Sequence, residues 1–187
     1  MKSMLAALAV AGALDAGAQH TLTQGRAWSD VSSSTEGASL IRGAIDIAAP
    51  QKLVWRVMTD CLIARRMITT MTSCKTTDGD IRQGWDVREQ ITRGNLFVPT
   101  IRNIVRNDYQ PYSLIRFHRV GGDLKIEEGE WRLEPLAGGS GTRVIYTNRV
   151  AANISAPAFL VRAGMKADTA KVLGNLRRES LAAAARG

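Results

Sequence analysis

A chain of 187 residues with 45% hydrophobic and 22% charged content is ordinary for one globular domain and long enough to bury a real core. No apolar run reaches the ~20 residues a membrane-spanning helix needs, so a helical span is excluded. The net charge of +8 favours anionic surfaces such as lipid headgroups or nucleic acid, or is only a solvated basic face.

Met1 to Ala18 reads as a signal peptide. Lys2 gives a short positive start, Met4 to Leu14 is apolar and Ala-rich, and Ala16-Gly17-Ala18 fits the small-residue cleavage pattern, leaving Gln19 as the new N-terminus. The single positive charge and Asp15 leave an Ala-rich N-terminal helix as the alternative. The first reading implies export, to the periplasm. Gln19 to Ser39 is polar and rich in Ser, Thr and Gly, with Trp28 its only large anchor, and is expected to be a lead-in or linker. The domain proper is expected over 40–183, with 184–187 as a tail.

Leu40 to Ile47 reads as a first strand. Ala49-Pro50 opens a helix, since proline at an early helical position loses no hydrogen bond, and Leu53/Val57 and Val54/Met58 give it an apolar face. A second short helix is expected over Leu62 to Ile68. Trp85, Val87, Glu89 and Ile91 then alternate with Asp86, Arg88, Gln90 and Thr92, the period of a half-buried strand. Leu96 to Tyr109 is a further strand, with Pro99 marking an edge or bulge. Ile115 and Phe117 alternate with Arg116 and His118 in the next. Gly121 to Val150 is a hairpin with a glycine-rich turn after Pro135. Its first arm changes phase between Leu124/Ile126 and Trp131/Leu133, which predicts a β-bulge at Glu127 to Gly129. Ser155-Ala-Pro157 starts the last helix, with Val161, Met165, Thr169, Val172 and Leu176 as its apolar stripe, Arg162, Lys166, Arg177 and Arg178 on or beside the other face, and an Ala-rich end from Leu181 that is expected to fray. The plan is α+β: a curved antiparallel sheet of about seven strands, with helices against one face.

These pieces resemble the START / SRPBCC superfamily, the helix-grip fold, and within it the polyketide cyclase/dehydrase and coenzyme-Q-binding group. The resemblance rests on Gly43-Ala-Ile-Asp-Ile-Ala-Ala-Pro50 running into Val54-Trp55 and Met58-Thr59-Asp60, on Arg116-Phe117 and Gly122-Asp123-Leu124, on Glu128-Gly129-Glu130-Trp131-Arg132-Leu133 and Thr142-Arg143-Val144-Ile145-Tyr146, and on Pro157-Ala-Phe-Leu160 leading into Val172-Leu173. It implies two short helices after the first strand and a long C-terminal helix lying across the sheet. It also implies an apolar cavity between them for a lipid, quinone, polyketide or other hydrophobic molecule. Fold alone does not settle function.

Cys61 and Cys74 follow the first helix and start the second strand. In an oxidising compartment an even count favours a disulfide, worth about 3 kcal/mol in the chain-entropy model; otherwise they are two unpaired buried thiols. Two cysteines without a nearby His or acid cluster give too few ligands for a metal. His118 is expected to face solvent opposite Phe117, and His20 falls in the lead-in, so neither is a promising general base. Candidate cavity residues are Trp85, Phe97, Ile101, Ile115, Phe117, Trp131, Tyr146, Phe159, Met165 and Leu173, each of which plain core packing also explains. Glu89 shares the parity of Trp85 and Val87, which turns it inward with Arg102 or Arg116 as partner.

The expected function is binding, transport or sheltering of a hydrophobic small molecule without catalysis and without a cofactor, the basic surface serving approach to anionic membrane. Arg and Lys are scattered, without interleaved aromatics, so no nucleic-acid partner is expected. The alternatives are a cyclase or dehydratase using Glu89 with Tyr146, and a cytoplasmic ribosome- or RNA-associated module.

Overall fold

The computed structural model describes residues 14–94, 98–152 and 156–186. Helix α1 (Ala16–Thr23) precedes strands β1 (Trp28–Ser33) and β2 (Ser39–Ile47). Helices α2 (Gln51–Thr59) and α3 (Cys61–Met67) follow. The chain then runs through β3 (Met71–Asp80), β4 (Trp85–Thr92), β5 (Ile101–Gln110), β6 (Leu114–Gly122), β7 (Ile126–Pro135) and β8 (Thr142–Ala151) to the long helix α4 (Ala158–Ala184). Among the described residues the eight strands form one antiparallel sheet in the order β1-β2-β8-β7-β6-β5-β4-β3. The two short helices carry the chain from β2 to the far edge, and the meander from β3 brings β8 back beside β2. This is the α+β, helix-grip architecture that the resemblance implies, with one strand more.

The helices form where expected, for local reasons. Pro50 sits at the N-cap of α2, whose buried face is Val54, Trp55 and Val57. Asp60 caps α3 by accepting from the backbone N–H of Leu62 at 2.7 Å and Ile63 at 3.3 Å, which satisfies two donors the helix leaves free. Cys61, at the start of α3, and Cys74 of β3 form a disulfide with Cα atoms 5.5 Å apart, tying the helical layer to the sheet edge. α4 crosses the sheet over Gly43, where an added Cβ would come within 2.8 Å of Leu173 Cδ1, so the glycine permits the close approach. α4 continues unbroken through Ala184, and Ala183 packs on the core where the sequence suggested fraying.

The lead-in is more ordered than its composition suggests. Ala18 and Leu22 of α1 are buried, and β1 pairs with β2 from Trp28 opposite Ala44 to Ser33 opposite Ser39. The strand escaped notice because polar groups secure it: the buried Ser29 hydroxyl donates to the Lys166 carbonyl of α4 at 3.0 Å. The expected signal-peptide segment lies mostly outside the described residues. Its last part enters α1, which Asp15 caps by accepting from Ala18 N–H at 2.7 Å, so cleavage after Ala18 removes that cap.

The expected bulge at Glu127 to Gly129 is absent. β7 pairs in unbroken register with β8 from Ile126 opposite Ala151 to Pro135 opposite Thr142, and with β6 from Leu114 opposite Arg132 to His118 opposite Glu128. Gly129 is there because a Cβ would meet the Thr147 carbonyl and the Phe117 ring. The apparent phase change has another cause: Glu127, a charged residue, occupies an inward position.

Candidate functional site

Gly43 faces α4, and the register carries that facing across the sheet. Gly43 lies opposite Tyr146, Tyr146 opposite Trp131, Trp131 opposite Ile115, and Ile115 opposite Tyr109. Asn107, two residues before Tyr109, lies opposite Asp86. Because side chains alternate with period two, the face turned to the helices carries Ile101, Asn103, Asn107 and Tyr109 on β5, Ile115 and Phe117 on β6, Glu127, Trp131 and Leu133 on β7, and Val144, Tyr146 and Asn148 on β8.

Several expected cavity residues meet here. Trp131 stacks on Tyr146 with ring centroids 4.0 Å apart, and Phe117 lies 6.2 Å from the same ring. Ile101, Tyr146 and Met165 pack around the buried Ile41, Leu124 and Val150. Ile115 and Leu173 pack in a larger apolar cluster with Ile45, Val54, Trp55, Leu133 and Val144. Phe159 is 65% exposed on the first turn of α4 and lines no interior wall. Phe97 lies outside the described residues. His118 is exposed, as its alternation with Phe117 predicts.

β4 reverses the expected facing. Its inward residues are the polar set, with Asp86 and Arg88 buried. Trp85 lies on the outer face, where the Arg106 guanidinium sits 4.3 Å from its ring centroid. Glu89 also points outward and accepts from Arg102 Nε at 2.7 Å, so one of the two expected partners, Arg102 and not Arg116, is the one it meets, and the expected side is wrong. Glu89 and Tyr146 therefore face opposite sides of the sheet and form no acid/base pair. The apolar parity of this strand covers the outside because the inside is filled by an ion pair.

That ion pair is complete. Asp86 accepts from Arg88 Nε at 2.8 Å, from Asn107 Nδ2 at 2.8 Å and from the Tyr109 hydroxyl at 2.9 Å, while Arg88 Nη2 donates to the Thr59 carbonyl at the end of α2 at 2.8 Å. The Tyr109 phenol is pushed up by burial.

A second inward polar cluster, on β5, β7 and β8, is incomplete. Asn103 Nδ2 donates to the Glu127 carboxyl, reaching across the end of β6, where Gly121 and Gly122 offer no side chains. Asn148 Nδ2 donates to the Tyr146 hydroxyl at 2.9 Å. Both asparagines are buried, and neither Asn103 Oδ1 nor Asn148 Oδ1 has a partner. A buried polar atom left unpaired costs about 1–3 kcal/mol. Burial pushes the Glu127 carboxyl above its ordinary value, partly offset by the bond from Asn103. Burial also raises the Tyr146 phenol, with the Glu127 charge adding to the effect. The cluster offers two free carbonyl acceptors and a carboxyl that holds its proton past the usual range, beside an aromatic stack.

A cleft of about 290 Å³ opens at this end of the fold between Ser33, Ser34 and Ser39, the end of β8 at Val150 to Ala152, and Val161, Arg162 and Met165 of α4. Val150 and Met165 line the cleft and also pack in the apolar cluster that includes Tyr146 and Ile101. Among the described residues no group of three or more His, Cys, Asp and Glu is placed to hold a metal ion. Asn103, Glu127 and Asn148 were not singled out from the sequence. The one signal was the phase break in the first hairpin arm, which marks the inward turn of Glu127.

Residues 47–177 match the protein family described as polyketide cyclase / dehydrase and lipid transport. No curated protein matches the sequence. Among solved structures, a Thermus thermophilus protein is 22% identical with a TM-score of 0.65, covering 77% of this chain and 98% of its own. The Zhui aromatase/cyclase from a Streptomyces species is 17% identical with a TM-score of 0.61, covering 75% and 92%. A STAR-related lipid transfer protein fragment from Xanthomonas axonopodis is 15% identical with a TM-score of 0.64, covering 81% and 98%. At these identities the likeness is one of fold, and that fold is START-like.

Proposed function

We propose that this chain, which belongs to the polyketide cyclase / dehydrase and lipid transport family, binds a hydrophobic small molecule between the sheet and α4, to shelter or carry it without changing it. The observation that carries this reading is the Trp131–Tyr146 stack on the inward face, set beside polar atoms that have no partner in the protein. Apolar walls with a few oriented polar groups are what a small-molecule site needs. A lipid, a quinone or a polyketide-like compound meets that description. The test is native mass spectrometry with organic extraction of protein isolated from its own cell envelope. A stoichiometric bound compound is the expected result. An empty protein that still begins at Met1 contradicts both the carrier and its export.

Export to the periplasm is part of the same proposal. The Cys61–Cys74 disulfide supports it, since such bonds persist in oxidising compartments. Among the described residues no helix is long and apolar enough to cross a membrane. N-terminal sequencing of the native protein tests cleavage after Ala18. An anionic membrane surface is the proposed docking partner. The net charge of +8 supports it, as do Phe159 and Leu160, exposed near Arg162 and Lys166 on α4. Binding to phosphatidylglycerol vesicles but not to phosphatidylcholine vesicles, weakening with salt, is the expected outcome.

A further inference from the structure

We propose that Asn103, Glu127 and Asn148 recognise the hydroxyl end of an otherwise apolar ligand, an alcohol or a phenol, seated against the Trp131–Tyr146 stack; this rests on the binding function proposed above. Asn103 is 7% exposed and Asn148 4%, and each spends its amide nitrogen on a neighbour while its carbonyl oxygen is left without a donor. Exchanging the oxygen and nitrogen of either amide does not cure this. Asn148 would then accept from the Tyr146 hydroxyl and strand its own NH₂, and Asn103 would do the same against a protonated Glu127. One polar atom per amide stays unpaired, and buried polar groups in folded proteins are ordinarily satisfied by something.

The chemistry of the missing partner follows from what surrounds it. An anionic head group is repelled, because the cluster presents two carbonyl oxygens and a carboxyl, and Arg88, the buried arginine on the same face of the sheet, is already committed to Asp86 and the Thr59 carbonyl. A cationic head group has one carboxyl to meet, and burial of that carboxyl works against the charge that would hold a cation. A neutral hydroxyl suits both positions. It donates to an orphan oxygen, while the apolar remainder of the molecule lies on aromatic and aliphatic walls.

The test is a pair of matched probes that differ only in the donor: 1-naphthol against 1-methoxynaphthalene, and decan-1-ol against decyl methyl ether, each titrated into the full chain and followed by tryptophan fluorescence. A site built to bond a donor rejects the analogue that lacks it, so the hydroxyl compound is expected to bind at least about tenfold more tightly than its ether. Asn103→Leu and Asn148→Leu, first checked by thermal melts, are expected to bring the two affinities within about twofold of each other while leaving ether binding in place. Equal affinity of the unmodified protein for alcohol and ether overturns the proposal and leaves the binding function standing. No binding of any of the four probes overturns the binding function and the proposal with it.

Discussion

The inward face of the sheet carries two buried polar clusters, and they differ in whether their members satisfy one another. At the β4–β5 end, Asp86 holds three donors and Arg88 reaches the last turn of α2. At the β7–β8 end, Glu127 has one amide donor, and two asparagine oxygens have none. The two asparagines are as buried as Asp86 and Arg88, so the contrast is one of pairing and not of exposure. The complete network joins sheet to helix and is part of the frame. The incomplete one leaves two acceptors without a donor from the protein.

Substitutions separate the two roles. The largest effect belongs to Arg88→Met, which removes the cation and leaves Asp86 charged and buried; a loss of about 3–5 kcal/mol in urea denaturation is expected. Ligand retention in whatever protein still folds should survive that change. Removing the Cys61–Cys74 disulfide by paired alanine substitution is expected to cost about 3 kcal/mol, read from the same denaturation midpoint, with binding again unchanged. At the incomplete cluster the effect is small: Asn148→Leu removes an unsatisfied acceptor together with the bond to the Tyr146 hydroxyl, so the two changes offset and stability of the ligand-free protein should stay within about 1 kcal/mol, while hydroxyl binding weakens. A destabilisation as large as that of Arg88→Met would make this cluster part of the frame and break the comparison.

Glu127→Gln sharpens it through pH. Burial raises the folded-state value of the Glu127 carboxyl, so the folded chain carries a penalty once pH exceeds the ordinary unfolded value of 4.5. The penalty grows until pH passes the raised folded value. An uncharged amide in place of the carboxyl escapes it, so the variant should melt at a higher temperature than the unmodified protein at pH 7, with the gap closing as pH falls towards 4.5. The smallest effect is expected on the outer face, where Trp85→Ala loses a cation–π contact worth about 0.5–1 kcal/mol and leaves ligand binding untouched.

The sequence discloses the frame well and the site poorly, for one physical reason. Where inward residues are apolar, as along Ile41, Ile45 and Ile47 or in the Val54–Val57 face of α2, period alone finds the element and its facing. Where an inward residue is polar, the same logic turns the strand over. β4 has good strand alternation, yet Asp86 and Arg88 were read as the solvent side, and Trp85 and Glu89 as the cavity side. In β7 the inward Glu127 imitated a bulge. β1 went unseen because Ser29 anchors it through a hydroxyl. Trp131, Tyr146 and Phe117 were legible as inward-facing because their apolar character agrees with the pattern. Their polar neighbours were not, since burial of an asparagine is decided by strand pairing over distances the local pattern does not contain.

The measurement that bears most directly on the contrast is a nitrogen-15 correlation spectrum of the asparagine side-chain amides during titration with 1-naphthol. The NH₂ signals of Asn103 and Asn148 should shift in proportion to occupancy, while those of Asn107, held by Asp86 in the complete network, stay still. Movement of Asn107 with Asn103 and Asn148 unchanged would place the ligand in the frame, and would contradict the account.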